Sequence, residues 1–575
     1  MNVGVIHPIE SFWLYYGPND QTQAIRDQMD VNYENLMQWL LYGTIDFDLI
    51  SEALLPELCK KASIPLELGE MEYDTILIPD CRTLRSSTLE RLESFVDQGG
   101  KVIFAGRVPK LVDAKPSNRA IKLAEKAKII GFNRQEMLDS LKEERLIEIR
   151  KDSGKLSDNL FYQLRKDTDC KWLYICHVNR KRNQVDTPEP YRIQIKGQWK
   201  IEAYDTLSGR IYDLPAEYEK GETFLYYTMY PEDSLLVKLM PLEKDIVINR
   251  DKRINHQSFD RSKQKKIIDF TQPESFDLSE PNALLLDYAS YQFNDGPIKA
   301  KEEILRLDNK IRRKLGYPLR RDAYAQPWRL PETGTPKDKV TLFYEFNSEI
   351  EVADVLLAME RPENAKITLN GQIVKSQARG YYVDSFIHTV SLPKINKGIN
   401  KLTLEIPFAR ETNLENIYIL GSFGVELKGR RADIVEFPKQ LEFGDITRQR
   451  LPFYTGNLDY NFTFELEEEK ELIISIPHFS SPVLEIFVNE ESKGLMAFAP
   501  HMKNIGRYGK GEHRLKVRVY GNRFNGFGTL HNCDDEFMWY GPDSYRTVGS
   551  QWSESYGVRP VGILSRLELI EQESN

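Results

Sequence analysis

The sequence predicts a multidomain protein, with one α/β domain followed by several all-β sandwiches. Three observations lead there. At 575 residues the chain is too long for a single hydrophobic core. Up to about Ala120, short apolar runs alternate with segments of helical period, the texture of a parallel sheet wrapped by helices. From about Leu146 onward, short aromatic-rich runs with period-two alternation take over.

Composition narrows the classes of partner. Hydrophobic residues at 41% and charged residues at 29% give the balance of a globular protein rather than a disordered one. No apolar run approaches the ~18 residues of a membrane span, so no membrane partner is expected. A net charge of −9 repels phosphate backbones, and nucleic acid is not an expected partner either. The cysteines Cys59, Cys81, Cys170, Cys176 and Cys533 are scattered and form no CxxC pair, which argues against a disulfide framework and a structural zinc site. The opening MNVGVIHPIES lacks a basic segment followed by a long apolar one, and together with the free thiols this predicts a cytoplasmic location.

The elements follow in order. Val3 to Ile6, Phe47 to Ile50, Thr75 to Ile78 (closed by Pro79) and Lys101 to Ala105 read as strands. Ile25, Met29, Leu36, Trp39 and Leu40 recur at roughly helical spacing, and Ser87 to Gln98 is amphipathic with Gly99-Gly100 as its stop signal. These make an α/β domain over 1–130. Trp172 to His177, Tyr191 to Ile195, Trp199 to Tyr204 and Glu222 to Tyr227 make a small β-sandwich over 131–245. The mixed, basic stretch 246–280, with Arg250, Lys252, Arg253, Arg261, Lys263, Lys265 and Lys266, reads as a solvated linker, with contact to an acidic partner as the alternative. A second sandwich spans 281–428 and carries a helix over Lys299 to Leu315, ended by Gly316 and Pro318; a third spans 429–575.

These last two contain a repeat. Lys366-Ile-Thr-Leu-Asn370-Gly371 is followed by Lys397-Gly398 and an alternating strand through Leu402, Leu404 and Ile406. Leu484-Glu-Ile-Phe-Val-Asn489 is followed by Lys510-Gly511 and an alternating strand through Leu515, Val517 and Val519. In each, a strand ends at an Asn turn and a Lys-Gly turn opens the next. Asn370-Gly371 is a type I′ hairpin signal, since both positions tolerate positive φ.

These repeats, with Ile417-Tyr-Ile-Leu-Gly421-Ser-Phe-Gly424 in the first copy and Tyr454-Thr-Gly456 and Asn522-Arg523-Phe524 in the second, resemble galactose-binding-like jelly rolls such as the sugar-binding domains of family 2 glycoside hydrolases. Tyr73-Asp-Thr-Ile-Leu-Ile-Pro79 and Phe95-Val-Asp-Gln-Gly99-Gly100-Lys-Val-Ile-Phe resemble the flavodoxin-like, class I glutamine-amidotransferase-like domain that follows the catalytic barrel in several glycosidases. The order of modules is similar to the C-terminal half of large bacterial glycoside hydrolases of the α-L-rhamnosidase (family 106) type. Such enzymes carry their paired carboxylates on a (β/α)₈ barrel of about 250 residues, and no stretch of that length with strand–helix texture is present here.

The candidate chemistry is weighed residue by residue. Cys81, after a strand in Ile78-Pro-Asp-Cys-Arg, invites comparison with an amidotransferase nucleophile. It lacks flanking glycines, and the only histidine of its domain is His7 at the far end, so an inert thiol is expected and no catalytic residue is assigned. Asp534, Asp535 and Glu536 are adjacent on one loop, whereas glycoside hydrolysis needs carboxyls facing each other ~5–9 Å apart. They read as solvated acids, with a sugar or Ca²⁺ contact as the alternative; no cofactor beyond Ca²⁺ is considered. Aromatic rings that stack on sugar faces are the favoured chemistry. The sugar-binding set is Trp539, Tyr540 and Trp552 with Asp535, and Trp328 in Ala325-Gln-Pro-Trp-Arg. No GxxxxGK[ST], HExxH or GxSxG occurs.

What the resemblance implies is the accessory, non-catalytic C-terminal region of a glycoside hydrolase, binding carbohydrate and supporting a catalytic barrel in cis or in trans. The alternative is a stand-alone carbohydrate-binding or assembly protein.

Overall fold

The computed structural model describes residues 2–178, 187–207, 209–242, 265–319, 336–534 and 545–571. It divides into two compact units, Met1–Phe259 with Phe498–Pro500, and Asp260–Ala497 with His501–Asn575.

The first unit opens with a five-stranded parallel sheet in the order Lys128–Ile130, Lys101–Ala105, Thr75–Ile78, Val3–Ile6, Phe47–Ile50. Its central strands are fully buried, and so their sequences are continuous apolar runs rather than alternating ones. Helix Ser86–Asp97 buries Leu89, Leu92 and Phe95 against one face of the sheet, and Leu36 and Leu40 of helix Asn19–Tyr42 cover the other. At Gly100 a Cβ would fall 2.4 Å from the Phe95 ring, so only glycine lets the chain double back into the strand Lys101–Ala105. Strand order reverses beside Val3–Ile6, which sets His7 and the Pro79-Asp80-Cys81 turn at the carboxyl edge where the chain splits to either side.

A small sandwich completes this unit. Ile147–Lys151, Glu189–Lys196, Glu222–Met229 and Glu217–Glu219 form one sheet, and Leu160–Lys166, Lys171–His177, Ser234–Pro241, Trp199–Tyr204 and Ile211–Leu214 the other. Alternate residues, among them Ile149, Leu173, Ile193 and Val237, point inward to a shared core.

The second unit holds two larger sandwiches. In one, the sheet Asn282–Leu286, Ile417–Gly421, Leu356–Glu360, Asp384–Ser391, Gly380–Tyr382 faces a sheet built around Asp338–Ser348 and Gly398–Phe408. In the other, Lys265–Phe270, Leu567–Glu571, Lys470–Ser475, Met502–Tyr508 faces Ser275–Leu278, Leu458–Leu466, Gly511–Val519, Leu484–Val488, Glu491–Met496. The Asn turns predicted from the repeat are present in both. Asn370 (φ +50°) and Gly371 (φ +80°) join Lys366–Leu369 to Gln372–Val374, and Asn489 (φ +52°) and Glu490 (φ +66°) join Leu484–Val488 to Glu491–Met496. In each copy the Asn side chain does the same work, its Oδ1 accepting the backbone N–H of the neighbouring strand, Lys401 at 2.9 Å and Arg514 at 3.0 Å.

The protein is therefore a multidomain chain with an N-terminal mixed α/β domain followed by several all-β sandwich domains. Two local readings change. The helix expected over Lys299 to Leu315 begins at Ile304; Lys299–Glu303 is a strand paired with Tyr288–Phe293, and Glu303 caps the helix by accepting from the N–H groups of Leu305 and Arg306. Within the stretch 246–280 expected as a linker, Lys265–Phe270 and Ser275–Leu278 are strands of the last sandwich. No described helix is long and apolar enough to cross a membrane.

Candidate functional site

The second sandwich (built on residues 282–435) opens at one end, where its sheets part around the last residues of Leu356–Glu360 and Gly398–Phe408 and the first of Ile417–Gly421. The gap is a cavity of about 1020 Å³. Leu342, Met359 and Ile406 give it apolar wall, while Tyr344, Glu360, Asn413, Glu415 and Asn416 bring polar groups to it.

The rim is held by a buried guanidinium. Arg312 of helix Ile304–Leu315 is 2% exposed. Its Nε donates to Asp308 Oδ2 at 2.8 Å, its Nη1 to the Arg410 carbonyl at 3.0 Å, and its Nη2 to the Thr412 carbonyl. One side chain thus ties the helix to the loop that carries Asn413, Glu415 and Asn416. Arg546 arrives from the C-terminal region, with Nη2 3.5 Å from Glu415 Oε1 and 3.8 Å from Asp308 Oδ2.

Glu415 is the pivotal group. Its Oε1 accepts from Asn413 Nδ2 at 2.7 Å. Protein surrounds the carboxyl, yet its side chain stays 30% exposed, as befits a group set in a cavity wall. Burial pushes its pKa up to about 7; Arg546 opposes that shift and Glu360 adds to it. Near neutral pH the group therefore exists in both forms, able to donate a hydrogen bond as well as accept one. Around it, Tyr344 Oη, Asn413 Oδ1 and Asn416 Oδ1 are buried atoms with no hydrogen-bond partner, and Tyr344 is 1% exposed.

A second polar cluster lies where the C-terminal loop meets the same sandwich. Asp287 Oδ2 faces His531 Nε2 at 2.9 Å, Asp287 Oδ1 accepts from Tyr556 Oη at 2.6 Å, and His531 Nδ1 faces the Ser553 carbonyl at 2.8 Å. Burial works against charging His531, but the hydrogen bond and charge of Asp287 outweigh it and raise the pKa above the ordinary histidine value. With both ring nitrogens directed at oxygen acceptors, the imidazole has no free lone pair for base chemistry, and the cluster acts as a fastening. Glu303 nearby is pushed up to about 7 by burial.

The sequence-predicted residues fall as follows. Trp552 is half-buried, its ring stacked on His531 (centroids 4.9 Å apart) with the Arg306 guanidinium 4.2 Å from its centroid. Trp328, Asp535, Trp539 and Tyr540 lie outside the described residues, as does Glu536. Asp534 accepts from Gln551 Nε2 at 3.0 Å. Among the described residues no group of three His, Cys, Asp or Glu side chains is placed to hold a metal ion. Cys81 is 3% exposed, and burial, with Glu52 and Asp80 adding to it, pushes its thiol far above the ordinary range. The beside-lying Asp80 is committed to Arg107, with which it forms a two-point pair at 2.9 and 2.8 Å. Sequence reasoning did not single out Tyr344, Glu360, Glu415, Asn416 or Arg546; the one local signal is a polar Asn413-Leu-Glu415-Asn416 run directly before an apolar strand.

No family model matches the chain, and no curated protein matches it. Among solved structures it is similar to a rhamnosidase from Novosphingobium sp. PP1Y, at 12% identity over 92% of this chain and 36% of that one, with a TM-score of 0.42. An exo-carrageenase from Bacteroides ovatus matches at 12% identity over 42% of this chain and 29% of that one, with a TM-score of 0.26. An alpha-L-fucosidase isoenzyme 2 from Paenibacillus thiaminolyticus matches at 10% identity over 42% of this chain and 49% of that one, also with a TM-score of 0.26. The chain spans about a third of the rhamnosidase's length.

Proposed function

We propose that this chain is the accessory, non-catalytic region of a bacterial glycoside hydrolase, carbohydrate-binding and serving a catalytic (β/α)₈ barrel in cis or in trans. The observation that carries the reading is the order of its parts. A flavodoxin-like parallel domain, whose strand order reverses beside its first strand, precedes sandwiches whose last two share one Asn-turn device, and both are read as galactose-binding-like. That order agrees with the residues that resemble the C-terminal half of family 106-type enzymes. Within this reading the parallel domain is a scaffold: its carboxyl edge holds a deeply buried thiol and an acid already paired with arginine, not a nucleophile beside a base. Trp328, Asp535, Trp539, Tyr540 and Trp552 are proposed as sugar contacts, the Trp552 ring being packed against His531 and Arg306.

The test is hydrolysis of aryl rhamnosides and galactosides by the chain alone, which is expected to stay at buffer background. Turnover abolished by a single Asp or Glu substitution would overturn the non-catalytic reading.

A further inference from the structure

We propose that Asp287, His531 and Glu303 form a proton-operated clasp, which holds residues 531–534 and 549–555 against the second sandwich when protonated and loosens them when deprotonated, so that acidity controls how freely the Trp552 ring is presented. This goes beyond the accessory role and does not depend on it.

The two segments travel together. The Ser553 N–H donates to the His531 carbonyl at 2.9 Å, and the Cys533 N–H to the Gln551 carbonyl at 2.8 Å. Their base is anchored by Leu530, Tyr556 and Val558, which pack into the core of the second sandwich. The outer part is tied down by side chains. Asp287, directly after the strand Asn282–Leu286, meets His531 Nε2 with one carboxylate oxygen and the Tyr556 hydroxyl with the other. Tyr288 Oη donates to the Glu554 carbonyl at 3.3 Å, and Arg430 pairs with the Glu554 carboxylate at 2.9 Å.

The geometry at His531 requires a charge. Its two ring nitrogens lie 2.9 Å from an Asp287 carboxylate oxygen and 2.8 Å from the Ser553 carbonyl oxygen. Neither oxygen can donate, and a neutral imidazole has one N–H, so the imidazolium alone satisfies both. When its proton leaves, the carboxylate keeps the remaining N–H as the stronger acceptor, and the Ser553 carbonyl then faces a lone pair. The grip on 549–555 fails at that point. The stack of Trp552 on His531, with centroids 4.9 Å apart, loses its cation–π attraction in the same step.

Glu303 reinforces the change. Burial opposes charge on both groups; it pushes Glu303 up to about 7, while Asp287 outweighs it at His531 and Glu303 adds to that rise. With rising pH the buried cluster passes from one carboxylate balanced by one imidazolium to two carboxylates and no imidazolium. Tyr288, Tyr344 and Tyr556, which also face it, stay neutral because burial raises all three. Arg306 lies against the Trp552 ring and pairs with Glu302, and Lys301, Glu345 and the Arg431–Asp433 pair line a recess with Asp287.

The experiment is hydrogen–deuterium exchange of the full chain, read by mass spectrometry and corrected for intrinsic rates, in wild type, Glu303→Gln and His531→Gln. Between about pH 6 and about pH 8.5, protection of wild-type residues 549–555 is expected to fall about tenfold or more, while the strands Asp338–Ser348 and Gly398–Phe408 keep theirs. Glu303→Gln should show a smaller fall, and His531→Gln weak protection at both pH values. Equal wild-type protection at both pH values would overturn the clasp. So would a fall shared by the two core strands, which is loosening of the whole sandwich. A full pH dependence kept in His531→Gln would place the switch on another group and overturn the assignment. An unchanged fall in Glu303→Gln would remove Glu303 from it. If His531→Gln does not fold, the wild-type comparison decides alone.

Discussion

His531 and Asp287 stand 244 residues apart in sequence and 2.9 Å apart in space, both almost wholly buried. The pair fastens the C-terminal loop to the edge of the second sandwich, with Tyr556 sharing the same carboxylate. Removing one partner strands the other without a counter-charge in the interior. Asp287→Asn is therefore expected to cost about 3 kcal/mol or more in the stability of the second unit, read as a lowered urea midpoint. An unchanged midpoint would show that the contact contributes nothing.

The same region makes stability depend on pH in a definite direction. His531 has its folded pKa raised, so its contribution is complete below the ordinary histidine value and is lost as pH rises through the folded one. Glu303 and Glu415, raised to about 7, hold a proton in the folded state that the unfolded chain has already released above the ordinary carboxylate range. Their effect has the same sign. The second unit should melt at a higher temperature near about pH 5.5 than near about pH 8, and Glu303→Gln should flatten that slope. A higher melting temperature on the alkaline side would refute the assignment.

Thiol reactivity should follow exposure. Cys533 is exposed, whereas Cys59, Cys81 and Cys170 are buried. Iodoacetamide under native conditions is expected to label Cys533 first and to reach Cys81 only after denaturant is added. Fast native labelling of Cys81, located by mass spectrometry, would count against the scaffold role proposed for the parallel domain.

Gly521 tests close packing in the last sandwich. A Cβ there would lie 1.8 Å from the Thr455 carbonyl oxygen, and backbone cannot swing aside as a side-chain end can. Gly521→Ala should lower stability by about 2 kcal/mol or more, whereas Gly509→Ala, where a Cβ meets open space, should be nearly silent. Equal effects in thermal melts would contradict the packing.

Legibility in the sequence tracked local pattern. Thr75–Ile78 and Lys101–Ala105 were plain because buried parallel strands are unbroken apolar runs, and Asn370-Gly371 because its turn demands positive φ. Lys299–Glu303 was hidden: its charges suit a sheet edge, and they run without a break into a true helix. Lys265–Phe270 was hidden in the same way, its lysines reading as solvated linker. Of the cavity, only the polar Asn413-Leu-Glu415-Asn416 run left a local signal. Tyr344, Glu360 and Glu415 come from separate segments that the pairing of strands brings together.

The threading of the last sandwich sets an order of events during synthesis. Its strands Lys265–Phe270 and Ser275–Leu278 precede the whole second sandwich, yet Lys266 pairs with Glu568, 302 residues later. As the chain leaves the ribosome, the second sandwich can close on its own strands while Lys265–Phe270 waits, its lysines keeping the open edge from pairing with other chains. The last sandwich closes only when Leu567–Glu571 has emerged, and a nascent chain halted short of that strand holds an unfinished domain that a protease would find.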